Sequence, residues 1–224
     1  MVNRIVKRTL DVIGALIGII VCTPFWILVP LAIVLDSRGP VFYTQTRVGI
    51  NRRRKDRRCF PLSQREDRRG VERRRENYMG KPFKVIKFRT MVQDAEKLSG
   101  PVWATKDDSR ITKLGRLLRK TRLDEIPQFI NVLKGDMALV GPRPERPSFV
   151  RELSSKVANY SGRLDVKPGL TGLAQVENGY DSSVASVAEK VRFDLQYIRN
   201  WSLWYDIKIM FKTVIVVITG KGAC

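Results

Sequence analysis

Asp124 and Glu125 are adjacent carboxylates in a stretch otherwise dominated by cations, with Arg116, Arg119, Lys120 and Arg122 just before them. Such a field would keep both acids ionised at neutral pH, and the pair could then do two kinds of work. One carboxylate can attack phosphorus and carry the transferred group as an acyl phosphate. The other can help hold Mg2+, a hard cation that prefers carboxylate and phosphate oxygens. The spacing alone also fits an exposed acidic couple balancing its arginines, and taken by itself it favours that reading. Arg143 sits in Gly141-Pro142-Arg143-Pro144. Pro142 and Pro144 fix φ and remove backbone donors, so the loop either presents one guanidinium to a phosphate or a base edge or is a structural turn. Lys87 and Arg89 alternate in Lys87-Phe88-Arg89-Thr90-Met91. On a strand they share a side, as a cationic patch suited to a diphosphate or as a solvated face.

Composition narrows the chemistry. There is no histidine, which excludes a Ser-His-Asp triad, a histidine base and histidine metal ligands. Cys22, Cys59 and Cys224 are scattered without metal-ligand spacing and read as free thiols in a reducing compartment. Lys and Arg total 42 against 22 Asp and Glu, a net charge of +20. That excess favours a polyanionic partner: nucleic acid, anionic lipid or a phosphorylated substrate.

The elements that must position these groups begin with an uncharged run, Val12 to Leu35, bounded by Asp11 and Asp36. As a straight helix it would be about 36 Å long, against a hydrocarbon core of about 30 Å. No small-residue cleavage site follows it, so it does not read as a cleaved signal. Thr23-Pro24 lies at its middle, where a proline breaks the hydrogen-bond ladder and the Thr23 hydroxyl can bond a freed carbonyl. Arg4, Lys7 and Arg8 precede the run, and Arg38, Arg47 and Arg52-Arg53-Arg54-Lys55 follow it. Positive flanks mark the cytoplasmic side. With both flanks positive, the run reads as a re-entrant hairpin entering and leaving one leaflet, with a proline-kinked spanning helix as the alternative. Leu203–Thr219 is a second apolar stretch, suited to the membrane interface or to a buried core helix.

Between these, residues 37–50 and 82–88 read as strands, with an Arg-rich insertion at 51–80 as an excursion from their hairpin. Residues 110–135 read as helical, with a break or restart at Pro127 and a stop at Gly135. Residues 136–147 read as a proline-rich loop and 168–172 as a rigid turn, with helices near 145–162 and 184–200. The expected organisation is a membrane anchor at 1–36 and a catalytic domain at 37–224. The fold class is α+β and mainly helical: a small cytosolic globular domain with a re-entrant helix-break-helix and interfacial amphipathic helices.

Taken jointly, these stretches resemble the monotopic phosphoglycosyl transferases, the bacterial sugar transferase family. The matching segments are Lys7-Arg8-Thr9-Leu10-Asp11, Gly39-Pro40-Val41-Phe42, Lys87-Phe88-Arg89-Thr90-Met91, Leu123-Asp124-Glu125-Ile126-Pro127-Gln128, Asn131 to Met137, Val140 to Pro144, Lys167 to Val176 and Trp201 to Lys208. The resemblance implies transfer of a sugar-1-phosphate from a UDP-sugar to polyprenyl (undecaprenyl) phosphate, with release of UMP. It implies that Asp124 forms a covalent phosphosugar intermediate and that Glu125 supports Mg2+ binding or orients the pair. Arg143 corresponds to a uridine-contacting residue, Lys87 and Arg119 to phosphate-receiving cations, and Lys167 to a further basic position. It also implies a re-entrant helix broken at a Ser-Pro pair, which is Thr23-Pro24 here, at the cytoplasmic face of the bacterial inner membrane. Membrane lipids join the expected partners, no nucleic acid is required, and a dimer is compatible with the sequence.

Residues 52–75 carry 12 Lys and Arg against 4 Asp and Glu, which accounts for +8 of the net charge. Three acid-Arg-Arg units recur at Asp56, Asp67 and Glu72. The segment reads as a basic loop on anionic lipid. A sharper reading is a cyclic di-GMP site built from Arg65, Asp67, Arg68, Arg69, Glu72, Arg73 and Arg74, since arginine and carboxylate side chains together match phosphate and guanine edges. The rival of a different class is a membrane-tethered module that binds nucleic acid or anionic lipid. It explains the charge but not Asp124-Glu125 or Pro142-Arg143-Pro144.

Overall fold

A computed structural model describes residues 2–51, 79–95, 108–177 and 184–219. Cys59, Cys224 and the seven residues of the cyclic di-GMP reading lie outside that set.

The apolar run folds as two helices, α1 (Val2–Val21) and α2 (Thr23–Asp36), bent by 59° at Cys22. Pro24 falls in the first turn of α2, where its missing N–H costs nothing. The Thr23 hydroxyl donates to the Ile19 carbonyl at 3.2 Å, as expected for a tolerated break. No single described helix is long and apolar enough to cross a membrane, but this bent pair passes the same test as a broken span or a re-entrant loop.

One face of α1 is built of small residues at helical spacing: Asp11, Gly14, Ala15 and Gly18. It packs on α4 (Gln128–Lys134) and β3 (Ala138–Val140). The approach is so close that a Cβ on Gly18 would stand 2.5 Å from the Phe129 ring, and one on Gly14 2.5 Å from Leu139. The opposite faces of α1 and α2 are apolar and open, with Ile20 and Val21 each 70 % exposed and Leu35 79 %. A continuous surface of this kind on a folded chain calls for a partner.

The two long strands pair as expected. β1 (Phe42–Val48) runs antiparallel to β2 (Pro82–Phe88), from Phe42 opposite Phe88 to Val48 opposite Pro82. The Arg-rich segment therefore departs from the connection between them. Asn131 of α4 docks on β2 as a partial third strand: its Nδ2 donates to the Lys84 carbonyl and its Oδ1 accepts from the Ile86 N–H, at 2.7 and 3.0 Å.

Residues 110–135 resolve into α3 (Lys113–Lys120), a single 3-10 turn (Leu123–Glu125) and α4, which ends at Gly135 with φ +84°. The break straddles Pro127. The loop 136–147 and the turn 168–172 are more ordered than expected. Each contains a short strand, and β3 pairs in parallel with β4 (Gly169–Thr171). Three-residue strands are too short to show a sequence period; the pairing is made by backbones meeting at Gly141 and Gly169.

α5 (Pro147–Lys156) stops short of residue 162, and a 3-10 segment (Tyr160–Asp165) follows it. The chain closes with α6 (Leu173–Glu177), α7 (Val184–Arg199) and α8 (Leu203–Thr219). α8 buries one face, as a core helix does, and leaves the other apolar and open. Asp206 and Ile209 are buried, while Trp204, Phe211 and Ile215 form an exposed stripe.

Candidate active site

Three separate elements deliver the site. Lys87 is the penultimate residue of β2, Asp124 and Glu125 occupy the 3-10 turn, and Arg143 lies in the loop after β3. The turn is forced by its neighbours. Thr112 caps α3, its hydroxyl accepting from the Gly115 N–H at 2.9 Å. Arg122 then adopts a left-handed conformation, φ 59°, which ends that helix and reverses the chain. For a residue with a Cβ this costs about 1–2 kcal/mol, held here by the packing of Ile126 and Leu118 in the cluster beneath.

The result places both carboxylates inside the protein, Asp124 6 % and Glu125 7 % exposed. The exposed acidic couple that the spacing favoured is therefore not what forms. Glu125 is clamped. Its Oε1 accepts from Lys87 Nζ at 2.7 Å and from Arg143 Nη2 at 2.5 Å, and its Oε2 accepts from Arg143 Nη1 at 3.3 Å. Asp124 is left looser, with Oδ2 3.7 Å from Lys87 Nζ, an ion-pair separation beyond hydrogen-bonding range.

The two acids are pushed apart in acidity. Burial raises the Asp124 carboxyl above its ordinary value, against the pull of Lys87, and the charge of Glu125 adds to the rise. Burial acts on Glu125 too, but Arg143 and Lys87 override it and hold that carboxyl well below the usual range. Burial lowers Lys87 despite both acids, and the Glu125 charge raises Arg143. The cations that matter are Lys87 and Arg143, distant in sequence, with Arg119 and Arg122 in support; Arg116 and Lys120 are exposed on α3. Oppositely tuned neighbours are the pattern expected of a nucleophile and its fixed partner.

No third carboxylate, cysteine or histidine joins the pair among the described residues. The donor set still fits Mg2+, which is commonly held by one or two carboxylates together with substrate phosphates and water. Asp124 is the better-placed ligand, because both oxygens of Glu125 already accept from cations.

The other expected residues divide. Arg119 is at the site, its Nε donating to the Thr90 hydroxyl at 2.9 Å and its charge acting on Asp124. Arg89 does not form a patch with Lys87. Its guanidinium donates to the carbonyls of Ser37 and Arg38 at 2.5 and 2.8 Å, closing the end of α2. A terminus rich in unpaired carbonyls outcompetes solvent for that fork. Lys167 has its Nζ beside Gly135 and its charge acts on Asp11, so it belongs with the base of α1. Lys7 and Arg8 are half-buried and tie α1 down. Lys7 donates to Asp206 at 2.7 Å, and Arg8 caps α4 through the carbonyls of Val132 and Leu133 at 2.6 and 2.7 Å. Pro142 and Pro144 flank Arg143 as expected, and both of their carbonyls accept hydrogen bonds, from the Gly169 N–H and from Arg47.

Sequence reasoning missed an ionic group behind this loop, made of the buried Arg163, Lys190 and Asp194 and the half-buried Arg47 and Glu145. Asp194 and Lys190 do fall on the buried stripe of α7 with Val187 and Val191, which is a legible anomaly for charged residues. The polar Gln128 and Asn131 on the buried face of α4 were a similar signal.

Residues 2–60 and 63–220 match the pattern of the family described as bacterial sugar transferase, with its one gap inside the Arg-rich segment. The chain is similar to the UDP-glucose:undecaprenyl-phosphate glucose-1-phosphate transferase of Escherichia coli (strain K12), 39 % identical over 99 % of this chain and 42 % of the relative. It is similar to the UDP-N-acetylgalactosamine-undecaprenyl-phosphate N-acetylgalactosaminephosphotransferase of Aeromonas hydrophila, 38 % identical over 97 % of this chain and 45 % of the relative. A glucose-1-phosphate transferase of Caulobacter vibrioides is 36 % identical over 97 % of this chain and 71 % of its own length. The chain thus spans less than half the length of the first two.

Proposed function

This chain belongs to the bacterial sugar transferase family, and from that premise we propose that it moves a sugar-1-phosphate from a UDP-sugar to polyprenyl phosphate at a membrane surface. The observation that carries the proposal is the asymmetry of the acid pair: Glu125 locked by Lys87 and Arg143, and Asp124 buried, raised in pKa and not hydrogen-bonded by them. A buried carboxylate short of hydrogen-bond donors is a stronger nucleophile than a solvated one.

In the proposed reaction an Asp124 carboxylate oxygen attacks the phosphorus next to the sugar. The bond from that phosphorus to the bridging oxygen breaks, and UMP leaves with the electron pair. The phosphosugar stays on Asp124 as an acyl phosphate. An oxygen of the polyprenyl phosphate then attacks the same phosphorus, which frees the carboxylate and gives a polyprenyl diphosphate sugar. Lys87 lies between the two acids, where it faces charge developing on the transferred phosphoryl oxygens. In this reading Arg143 would receive the donor's nucleotide and Arg119 its diphosphate. Glu125 keeps Lys87 and Arg143 in position. Mg2+, when bound through Asp124 and the donor's phosphates, would supply further neutralisation of the diphosphate charge.

The membrane part of the reading rests on the open apolar faces of α1, α2 and α8. The bent helix pair would enter and leave the cytoplasmic leaflet of the inner membrane, with anionic lipid against the basic surface. This anchoring raises the effective concentration of a lipid phosphate confined to the interface. The Arg-rich segment is proposed to take cyclic di-GMP, on sequence grounds alone. The relatives name different sugars at nearly equal identity, so the donor is proposed only as a UDP-hexose or UDP-N-acetylhexosamine.

The test is UMP release by the purified protein in lipid nanodiscs, with polyprenyl phosphate, Mg2+ and a panel of UDP-sugars. Release that Asp124→Asn abolishes, together with a phosphosugar adduct on Asp124 by mass spectrometry, supports the reading. Turnover that survives in Asp124→Asn refutes it, as does nucleic-acid binding without any UMP release.

A further inference from the structure

The segment Pro142-Arg143-Pro144-Glu145 contains two prolines, so it lacks half the N–H groups from which a chain builds its own turn. It is shaped from outside instead, and each of its four carbonyls accepts from a different donor. The Pro142 carbonyl accepts from the Gly169 N–H of β4 at 2.9 Å, and the Glu145 carbonyl accepts from the Val48 N–H of β1 at 3.0 Å. The Pro144 carbonyl accepts from Arg47 Nη1 at 3.1 Å, and the Arg143 carbonyl accepts from Arg163 Nη2 at 3.0 Å. Two of these donors are therefore side chains, and both belong to the ionic group that the reaction itself does not use.

Arg163 is the stronger hold. It is 2 % exposed, out of reach of any substrate. Its guanidinium forms an ion pair with Asp194 Oδ2 at 2.8 Å, donates to the Tyr160 hydroxyl at 3.1 Å and lies 5.2 Å from the centre of that ring. Glu145, the residue that ends the loop, accepts from Lys190 at 2.7 Å and pairs with Arg47 at 3.6 Å. The loop is thus held at its peptide groups by two strand N–H groups and two arginines of the ionic group, and the Arg143 side chain reaches Glu125.

We infer that Arg163, locked by Asp194 and Tyr160, is a positioning residue for the transfer reaction, setting the place of the Arg143 guanidinium by holding its peptide carbonyl, with Arg47 doing the same one residue later. The inference rests on the proposed role of Arg143 in receiving the donor. A planar fork can reach Asp194, Tyr160 and the carbonyl at once; a lysine at the same place keeps the charge but not the three directions. Misplacing a binding group by about 1 Å can cost up to roughly a hundredfold in rate.

The test is a double-mutant cycle on kcat/KM for UMP release and on UDP affinity by calorimetry, using wild type, Arg163→Lys, Arg143→Ala and the double variant. Arg163→Lys is expected to lower kcat/KM about 10- to 100-fold, mainly through KM for the donor, and to have less than about a twofold effect in the Arg143→Ala background. Equal losses in both backgrounds, or no loss in either, would overturn the inference, because a purely structural role acts whether or not Arg143 is present. Should Arg163→Lys fail to fold, Arg47→Lys takes its place in the same cycle with the same criterion. A wild type that binds UDP but releases no UMP would refute the reaction and leave the coupling to be decided by the affinity cycle.

Discussion

Replacing Asp124 by asparagine should make the protein more stable at neutral pH while removing its activity. Asparagine has the shape of the protonated acid, so the substitution measures what ionisation of Asp124 costs the fold. That carboxyl is raised above its ordinary value by burial and by Glu125, against Lys87, Arg119 and Arg143. An acid with a raised folded-state pKa binds more protons folded than unfolded between its two pKa values, so stability falls as pH rises through that window. Above the folded pKa the full penalty is present; below the unfolded value, about 3.9 for Asp, it is absent. Each unit of the rise is worth about 1.4 kcal/mol, and for a chain of this size each kcal/mol moves Tm by about 2–4 °C. The assay is thermal unfolding followed by tryptophan fluorescence in one detergent, from pH 3 to pH 8. The expected result is an Asp124→Asn Tm several degrees above wild type at pH 8, with the gap closing as pH falls toward 3. A variant less stable than wild type at pH 8, or a gap that does not change with pH, would refute the electrostatic account of the site.

Lys87→Met should destabilise by about 3–5 kcal/mol, because it leaves buried carboxylates short of a partner. Adding Glu125→Gln should recover much of the loss, as urea unfolding would record. Glu145 is half-buried, and desolvation pushes its carboxyl up, yet Lys190, Arg163 and Arg47 hold it to about 2. A depressed acid stabilises above its unfolded pKa and loses that contribution as pH falls through the folded one. Glu145→Gln should therefore cost about 3 kcal/mol at pH 7, with the deficit shrinking between roughly pH 4.5 and pH 2. Gly18→Val should push α1 off Phe129 and lower stability by about 1–3 kcal/mol, whereas Ile17→Val on the open face should have little effect on the unfolding midpoint in detergent.

Much of this protein follows from local pattern. The break at Thr23-Pro24 appears where the dipeptide stands, although Pro30, inside α2, makes no break. The stop at Gly135 is similarly local, set by a residue that accepts positive φ, and alternation marks the two strands, but their pairing across the Arg-rich segment is tertiary. Asp124, Glu125, Lys87 and Arg143 were all nameable from residue type and motif. What they do to one another was not. That Arg143 and Lys87 meet on Glu125, leaving Asp124 the looser acid, depends on contacts spanning 18 and 38 residues of chain, and pKa values follow distance and burial rather than sequence order. The same limit hid the role of Arg89, drawn to the carbonyls at the end of α2 rather than to the site. It also hid the buried charges at Arg163 and Asp194. In a chain with 42 basic residues, composition cannot tell a solvated arginine from one locked in the interior; only the packing around it decides, because that packing sets which charges lose their water and therefore need a partner.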